Sequence, residues 1–387
     1  MYPPHHLGGY ELVWRAAVRH LRELGNEVRV LTTDFRVPYP GEPDDDDVRR
    51  ELRWWWRDHA FPKLPPRERL AVERHNGRVL ERHLAELRPD VVTWWSMGGM
   101  SMSLIERVRR RGLPAVAFVQ DDWLDYGLRV DAWLALFAGP RRGRLAGLAE
   151  ALLRMPARVD LDSAARYVFV SEATRERALA AGRKLLDTGV AHSGIDPSYL
   201  DPLPARDWEW RLLYVGRIDA RKGIVTAVDA LAHLPEEATL TVVGGGDPGA
   251  AGELRAQAAR LGVADRVQLA GFMPRSALRA AYGDADVVVF PVIWEEPWGL
   301  VPIEAMALGR PVVATGRGGS GEYLRDAENA LLFEPGNAEA LAAAVTRLAG
   351  DPALRARLRE GGLATAPGYT EDVFNGIVAA ELARACG

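Results

Sequence analysis

From residue 211 onward the chain alternates short apolar runs with segments whose apolar residues recur at helical spacing. RLLYVG (211–216) is an apolar run closed by glycine and predicts a buried strand. GIVTAVDALAHL (223–234) sets Ile224, Val228, Leu231 and Leu234 on one helical face. TLTVVG (239–244) predicts the next strand, and GELRAQAARLG (252–262) the next helix, ended by Gly262. The alternation continues through RVQLAGF, a helix near Ser276–Tyr282, DVVVFP and a helix near Leu300–Leu308. PVVAT (311–315), ALLFE (330–334) and a helix from Ala338 complete it. Such alternation predicts parallel βαβ units and a doubly wound sheet.

The first half keeps the rhythm less cleanly. Tyr10–Leu24 reads as an amphipathic helix with Gly25 just past its end. VRVLTT (28–33), DVVTWW (90–95), AVAFVQ (115–120) and RYVFVS (166–171) read as strands. Residues 36–69 form a polar insertion with four aspartates, Asp44 to Asp47, and many prolines, expected as a surface loop. DPSYLDPLPARDWE (197–210) reads as a linker between two α/β domains. A doubly wound domain opens with a strand feeding its first glycine loop. Gly8 and Gly9 follow only MYPPHHL, so a first strand of about a dozen further residues is expected ahead of Met1.

Composition narrows the function classes. The 387 residues suit two domains, with 48% hydrophobic and 26% charged residues. A net charge of −4 gives no reason to expect nucleic acid. The single cysteine, Cys386, excludes an internal disulfide, and no zinc spacing is present. No run reaches the ~18 apolar residues of a membrane helix. A cytoplasmic location is expected, at most peripheral to the inner face of a membrane. The tryptophan clusters, Trp54 to Trp56 and Trp94–Trp95, are expected as core, the alternative being an acceptor site or a membrane interface.

Two segments carry candidate chemistry. EEPWGLVPIEAMALGRPVVAT (295–315) follows the strand VVVFP, at the strand end where open α/β sheets bind ligands. Trp298, Gly299 and Leu300 lead into a helix whose backbone N–H groups suit a phosphate or sugar oxygen. Glu304 lies one turn inside that helix and Glu296 in the loop before it; each carboxylate can accept hydrogen bonds from vicinal hydroxyls. In LLYVGRIDARKG (212–223), Arg217 and Lys222 follow a strand end and can hold a diphosphate while neutralising its charge as it leaves.

Other motifs are set aside. Gly244-x-Gly246-x-x-Gly249 has the form of a dinucleotide fingerprint, but the next strand ends in Gly271 and Phe272 rather than an acid, so a tight turn is expected. Asp284-Ala285-Asp286 precedes its strand and reads as a helix-to-strand turn, and Asp44 to Asp47 as a solvated acidic run. RRELRWWWRDHAFPKLPPRER (49–69) and LALFAGPRRGRLAGLAEALLRM (134–155) each read first as surface covering its own core. The alternative for both is an acceptor or membrane-surface contact.

Taken together, the two chemical segments resemble family 4 glycosyltransferases, closely over 211–345 and more loosely over 1–200. Glu296 and Glu304 match the family's E-x7-E motif; Gly216, Arg217, Lys222 and Gly223 match G-R-x4-K-G. PPHHLGGYE looks like the family's glycine loop, and AHSGID (191–196) like its N-G-[IV]-D segment with Ser193 for Asn. The resemblance implies an α/β GT-B fold, two Rossmann-like doubly wound parallel-sheet domains facing a central cleft. The domains are then 1–200 on the acceptor side and 201–366 for the nucleotide-sugar, with a C-terminal helix in 367–387 packing back toward the first.

The same resemblance implies a retaining, metal-independent transfer from a nucleotide-diphosphate sugar, with no cofactor, to an unidentified acceptor. Glu304 then binds the donor ribose, Glu296 the sugar hydroxyls, and Arg217 and Lys222 the diphosphate, with Gly8 and Gly9 reaching across. Backbone at Gly271, Phe272 and Met273 meets the base. Where the family carries a histidine in an H-D-x-W-like segment, this chain has Gln120, followed by Asp121, Asp122 and Trp123. Gln120 cannot titrate, although Gln120 and Asp121 are still expected to line the cleft. A nucleotide-sugar epimerase, a glycan phosphorylase and a catalytically inactive nucleotide-sugar-binding protein are the competing readings. The first lacks an acid–base set, the second a cofactor lysine, and the third would not need all four charged residues.

Overall fold

The computed structural model describes residues 1–6, 8–37, 43–56, 61–246 and 248–387. Leu7 of the first glycine loop, part of the 36–69 insertion and Asp247 of the glycine fingerprint fall outside them. The chain divides into two compact units: Met1–His192 with Phe374–Gly387, and Ser193–Val373.

In the first unit, β1 (Val30–Thr33) pairs in parallel with β2 (Val48–Leu52). β3 (Val92–Trp94), β4 (Ala115–Val119), β5 (Arg166–Phe169) and β6 (Thr188–Val190) form a second parallel ladder in that order. Burial explains the apolar run of β4, whose five residues are all buried. Helix Tyr10–Glu23 ends as expected, with the Gly25 amide bonded to the Arg22 carbonyl at φ +87°. Its Trp14 stacks on Trp95 at 5.7 Å, and Trp95 on Phe118 at 4.9 Å. Phe374, in helix Glu371–Cys386, meets both Trp95 and Phe118 edge-on. Of the tryptophans expected as core, Trp55, Trp94 and Trp95 are buried, whereas Trp54 and Trp56 are half-buried and stack on each other at 4.8 Å.

The insertion departs from a plain surface loop. It contains β2 and leads into helix Pro66–Leu87. Nor is the acidic run simply solvated, because arginines both near and distant in sequence bond to it. Arg50 Nε donates to Asp44 at 2.9 Å, Arg19 to Asp45 at 2.7 Å and Arg29 to Asp47 at 3.0 Å. Tyr2 Oη adds a bond to Asp45 at 2.9 Å.

In the second unit, β7 (Arg211–Val215), β8 (Thr239–Val243), β9 (Val267–Gly271), β10 (Val287–Phe290), β11 (Val312–Ala314) and β12 (Leu331–Leu332) form one parallel sheet. Its order is β12-β11-β10-β7-β8-β9. Helices Ile224–Ala230, Pro248–Arg260 and Ala338–Gly350 cover a core of valines and leucines from these strands. Residues 197–210, expected as a linker, are fastened to this unit instead. Leu203 N bonds to Leu308 O at 3.2 Å, Arg310 to Pro204 O at 3.0 Å and Arg359 to Leu203 O at 2.6 Å. Asp286 is buried and accepts the Glu209 and Arg211 amides at 2.8 and 2.9 Å, so the Asp284–Asp286 segment is a structural turn.

Candidate active site

In a doubly wound sheet, ligands bind beyond the strand C-termini where the order reverses. Here the reversal lies between β7, followed outward by β8 and β9, and β10, followed outward by β11 and β12. The loops leaving those two strands, 216–223 and 291–299, carry the residues singled out by sequence. Ile293 N donates to Arg221 O at 3.0 Å, tying one loop to the other. Gly223 makes this approach feasible: it sits at φ +68°, and a Cβ there would lie 1.8 Å from the Pro291 carbonyl oxygen.

On that frame Lys222 Nζ donates to Glu296 Oε2 at 2.6 Å, and Trp294 Nε1 donates to the same oxygen at 2.8 Å. Glu296 is buried, yet its carboxylate carries two donors. The Trp294 ring lies beneath two cations, with Arg221 Cζ 4.7 Å and Lys222 Nζ 5.3 Å from its centre. Arg217 stands half-exposed, 3.5 Å from Asp219. Hydrogen bonds from Arg221 hold the Asp219 carboxyl at about 2, so this loop acid stays ionised. Tyr214 Oη donates to the Arg217 carbonyl at 2.7 Å and lies in the field of Arg217, Asp219 and Glu296.

Helix Leu300–Ala307 opens at Gly299 (φ +90°) and places Glu304 one turn in. Glu304 is buried and accepts the Tyr282 hydroxyl at 2.6 Å. Burial, with this carboxylate alongside, pushes Tyr282 well above the usual phenol range, so it remains a donor. Tyr323 feels the charges of both Glu296 and Glu304, which brings the two acids into one neighbourhood. The Trp298 side chain points inward: Nε1 bonds to Ser193 O at 2.8 Å, and its ring packs on Tyr323 and Tyr369 at 5.0 and 5.2 Å. What Trp298 offers a ligand is therefore backbone.

Gly271 ends β9, the edge strand on the far side of β8, and Phe272 and Met273 follow it, with Phe272 81% exposed. Backbone bonds chain the strand ends together, Gly216 N to Val243 O at 2.9 Å and Gly244 N to Gly271 O at 2.8 Å. A Cβ at Gly244 would lie 1.9 Å from Gly216 O, so packing between loops accounts for that glycine.

In the first unit, Gly8 and Gly9 lead into helix Tyr10–Glu23. Gln120 is buried and follows β4, next to Asp121. Tyr126 Oη donates to Asp121 Oδ2 at 2.9 Å, and the Ser96 hydroxyl bonds with both Asp121 and Tyr10. Burial pushes the Asp121 carboxyl up to about 6 against these bonds. Gly98 is what admits the tyrosine, because a Cβ there would lie 2.2 Å from Tyr126 Oη.

Sequence reasoning did not single out Trp294, Tyr282, Tyr126, Ser96 or Tyr10. Trp294 had a local signal, an indole two residues before the candidate acid. Tyr282 reaches Glu304 only through the tertiary fold.

The residues at the switch point carry the pattern of a known family, and comparison decides which. The profile of glycosyl transferases group 1 matches residues 199–364, and that of glycosyltransferase family 4 matches residues 7–199. The chain belongs to this family of glycosyltransferases. The 2-deoxystreptamine glucosyltransferase of Streptomyces kanamyceticus is 29% identical over 347 residues, covering 78% of this chain and 86% of that protein. The D-inositol 3-phosphate glycosyltransferase of Xylanimonas cellulosilytica is 41% identical over 152 residues, covering 39% of this chain and 36% of that protein. The match to an uncharacterized glycosyltransferase of Methanocaldococcus jannaschii likewise spans only 45% of its length.

Solved structures show the same GT-B fold for this family 4 glycosyltransferase. Sucrose-phosphate synthase from Thermosynechococcus elongatus superposes with TM-score 0.71 at 23% identity, covering 98% of this chain and 94% of that one. Anabaena HepE in complex with UDP and glucose superposes with TM-score 0.66 at 20% identity, covering 98% and 97%. Among the described residues no helix is long and apolar enough to cross a membrane.

Proposed function

We propose that this glycosyltransferase moves a sugar from a nucleotide-diphosphate sugar to an acceptor hydroxyl with retention of anomeric configuration and without a metal ion. The observation that carries the reading is the Lys222–Glu296 pair joining the two loops at the switch point of the second sheet. A donor diphosphate suits Lys222, Arg217 and the amides opening helix Leu300–Ala307. Glu304 suits the ribose hydroxyls, and Glu296 the hydroxyls of the transferred sugar. The backbone of Gly271, Phe272 and Met273 suits the base.

In the proposed step the acceptor oxygen attacks the anomeric carbon on the face the diphosphate leaves. The carbon–oxygen bond to phosphate breaks, and the acceptor proton passes to the departing phosphate oxygen. Arg217 and Lys222 neutralise the charge that grows there, and Glu296 stabilises the positive charge on the sugar. The family match supports retention, and the two cations support metal independence.

The test is a panel of nucleotide-sugars bearing uridine, guanosine or adenosine, offered with varied acceptors in EDTA and followed by NMR of the product anomer. Retained configuration at full rate in EDTA supports the proposal. An inverted product or a strict metal requirement refutes it. Donor binding without turnover on any acceptor would favour a nucleotide-sugar-binding protein.

A weak membrane-surface contact is the second proposal for the first unit. Helix Pro140–Leu153 presents Leu145, Leu148 and Leu152 on one face, 57%, 58% and 73% exposed, with Arg154 and Arg158 exposed beyond its end. Flotation with vesicles containing anionic lipid tests it; protein that stays wholly in the dense fraction refutes it.

A further inference from the structure

Both donors to the Glu296 carboxylate converge on one oxygen. Lys222 Nζ and Trp294 Nε1 lie 2.6 and 2.8 Å from Oε2, and among the described residues no other side chain bonds to this carboxylate. A carboxylate oxygen has two lone pairs, so Oε2 is filled and Oε1 is left. The same indole that fills Oε2 also lies face-on to Lys222 and Arg221. One half-buried ring thus touches the acid through its edge and the two cations through its face. The loop backbone is held separately, by the Ile293–Arg221 bond and by the Gly319 amide on the Glu296 carbonyl at 2.7 Å.

We infer that Trp294 is a positioning residue of the donor site. Its N–H and ring face hold Glu296 and Lys222 in register, which reserves Glu296 Oε1 for a hydroxyl of the transferred sugar. The inference rests on the donor reading above. Its physical content lies in what happens when a diphosphate arrives. A diphosphate competes with Glu296 for Lys222 and draws the ammonium away. The buried carboxylate would then lose a charged donor at the moment it must hold the sugar. The indole N–H cannot follow the lysine, so it keeps Oε2 bonded and the carboxylate oriented. The Trp294 N–H therefore acts on sugar recognition, while its ring face stays against Lys222.

The experiment is isothermal titration of wild type and Trp294→Phe with UDP and with UDP-glucose, repeated with the guanosine and adenosine pairs. Phenylalanine keeps an aromatic face beneath the two cations and removes the N–H together with the pyrrole half of the indole. The quantity read is the sugar increment, the ratio of affinity for the nucleotide-sugar to affinity for the bare diphosphate. The inference predicts that Trp294→Phe leaves diphosphate affinity within about twofold and cuts the increment about tenfold. Trp294→His, which returns a ring N–H, recovers part of it. An unchanged increment overturns the inference, and so does an equal loss for both ligands, which would mark a role in loop structure alone. Wild-type protein that binds no pair refutes the donor reading itself, a result distinct from either.

Discussion

Lys222 and Glu296 are 74 residues apart in sequence and 2.6 Å apart in space. Each follows a different strand, β7 and β10, and those strands are neighbours only because the sheet order reverses between them. The pair is therefore a consequence of topology: two separate motifs become one site where the chain changes direction. The acid and the base satisfy each other, and a diphosphate would exchange that partner for its own oxygens.

Glu304 is expected to act on the nucleotide. Glu304→Ala removes a buried carboxylate that Tyr282 orients, so donor KM rises about 10–100-fold while kcat changes less. Tyr282→Phe gives a smaller change in the same direction. Steady-state kinetics on the donor found in the panel checks both, and an unchanged KM in Glu304→Ala refutes the ribose role.

Gly223 is expected to tolerate no side chain. Its φ of +68° and the 1.8 Å approach to Pro291 O mean that Gly223→Ala must separate the two loops. A stability loss of about 1–3 kcal/mol is expected, with a weaker diphosphate affinity beyond it. Urea denaturation and titration with UDP measure the two effects independently.

Asp121 predicts a pH signature. Its folded-state carboxyl titrates near 6, above the ordinary 3.8, because burial penalises the charged form. The folded state thus holds a proton that the unfolded state releases between those values, and stability falls as pH rises through that window. Above it the penalty is constant. Asp121→Asn still accepts from Tyr126 and carries no such penalty. Its stability advantage over wild type is expected to grow between pH 4 and 6 to at most about 3 kcal/mol, then level off. Urea midpoints across pH 4 to 8 read this directly; a flat difference contradicts the assignment.

What could be read from sequence follows burial. β10 and β11 are apolar runs because both sheet faces are covered. The same holds for the loops that follow, where glycine and charge stand at fixed offsets. β2, Val48–Leu52, was not legible: its sequence is VRREL, and only Leu52 is buried. Among the described residues this polar strand pairs only with β1, and it has no alternation to betray it. Asp44, Asp45 and Asp47 looked solvated because their partners, Arg50, Arg19 and Arg29, are supplied partly from elsewhere in the chain. The candidate acids and cations were legible as motif, whereas the residues that orient them, Tyr282 for Glu304 and Tyr126 for Asp121, are fixed by packing.

Metal independence has its own signature. If Lys222 and Arg217 carry the leaving-group charge, turnover is expected to persist in EDTA, and Lys222→Met to lose about 100-fold or more in kcat that added divalent cation does not restore. Full rescue by magnesium or manganese would contradict this division of labour.

The most direct test of the account is a pair of measurements on one donor, bare-diphosphate affinity and turnover, in Lys222→Met and Glu296→Gln. If these two side chains hold adjacent parts of a single bound molecule, the lysine variant loses diphosphate affinity, while the glutamate variant keeps that affinity and loses turnover. Unchanged affinity and turnover in both variants would show that the ion pair is only a loop fastener, and the proposed donor site would be wrong.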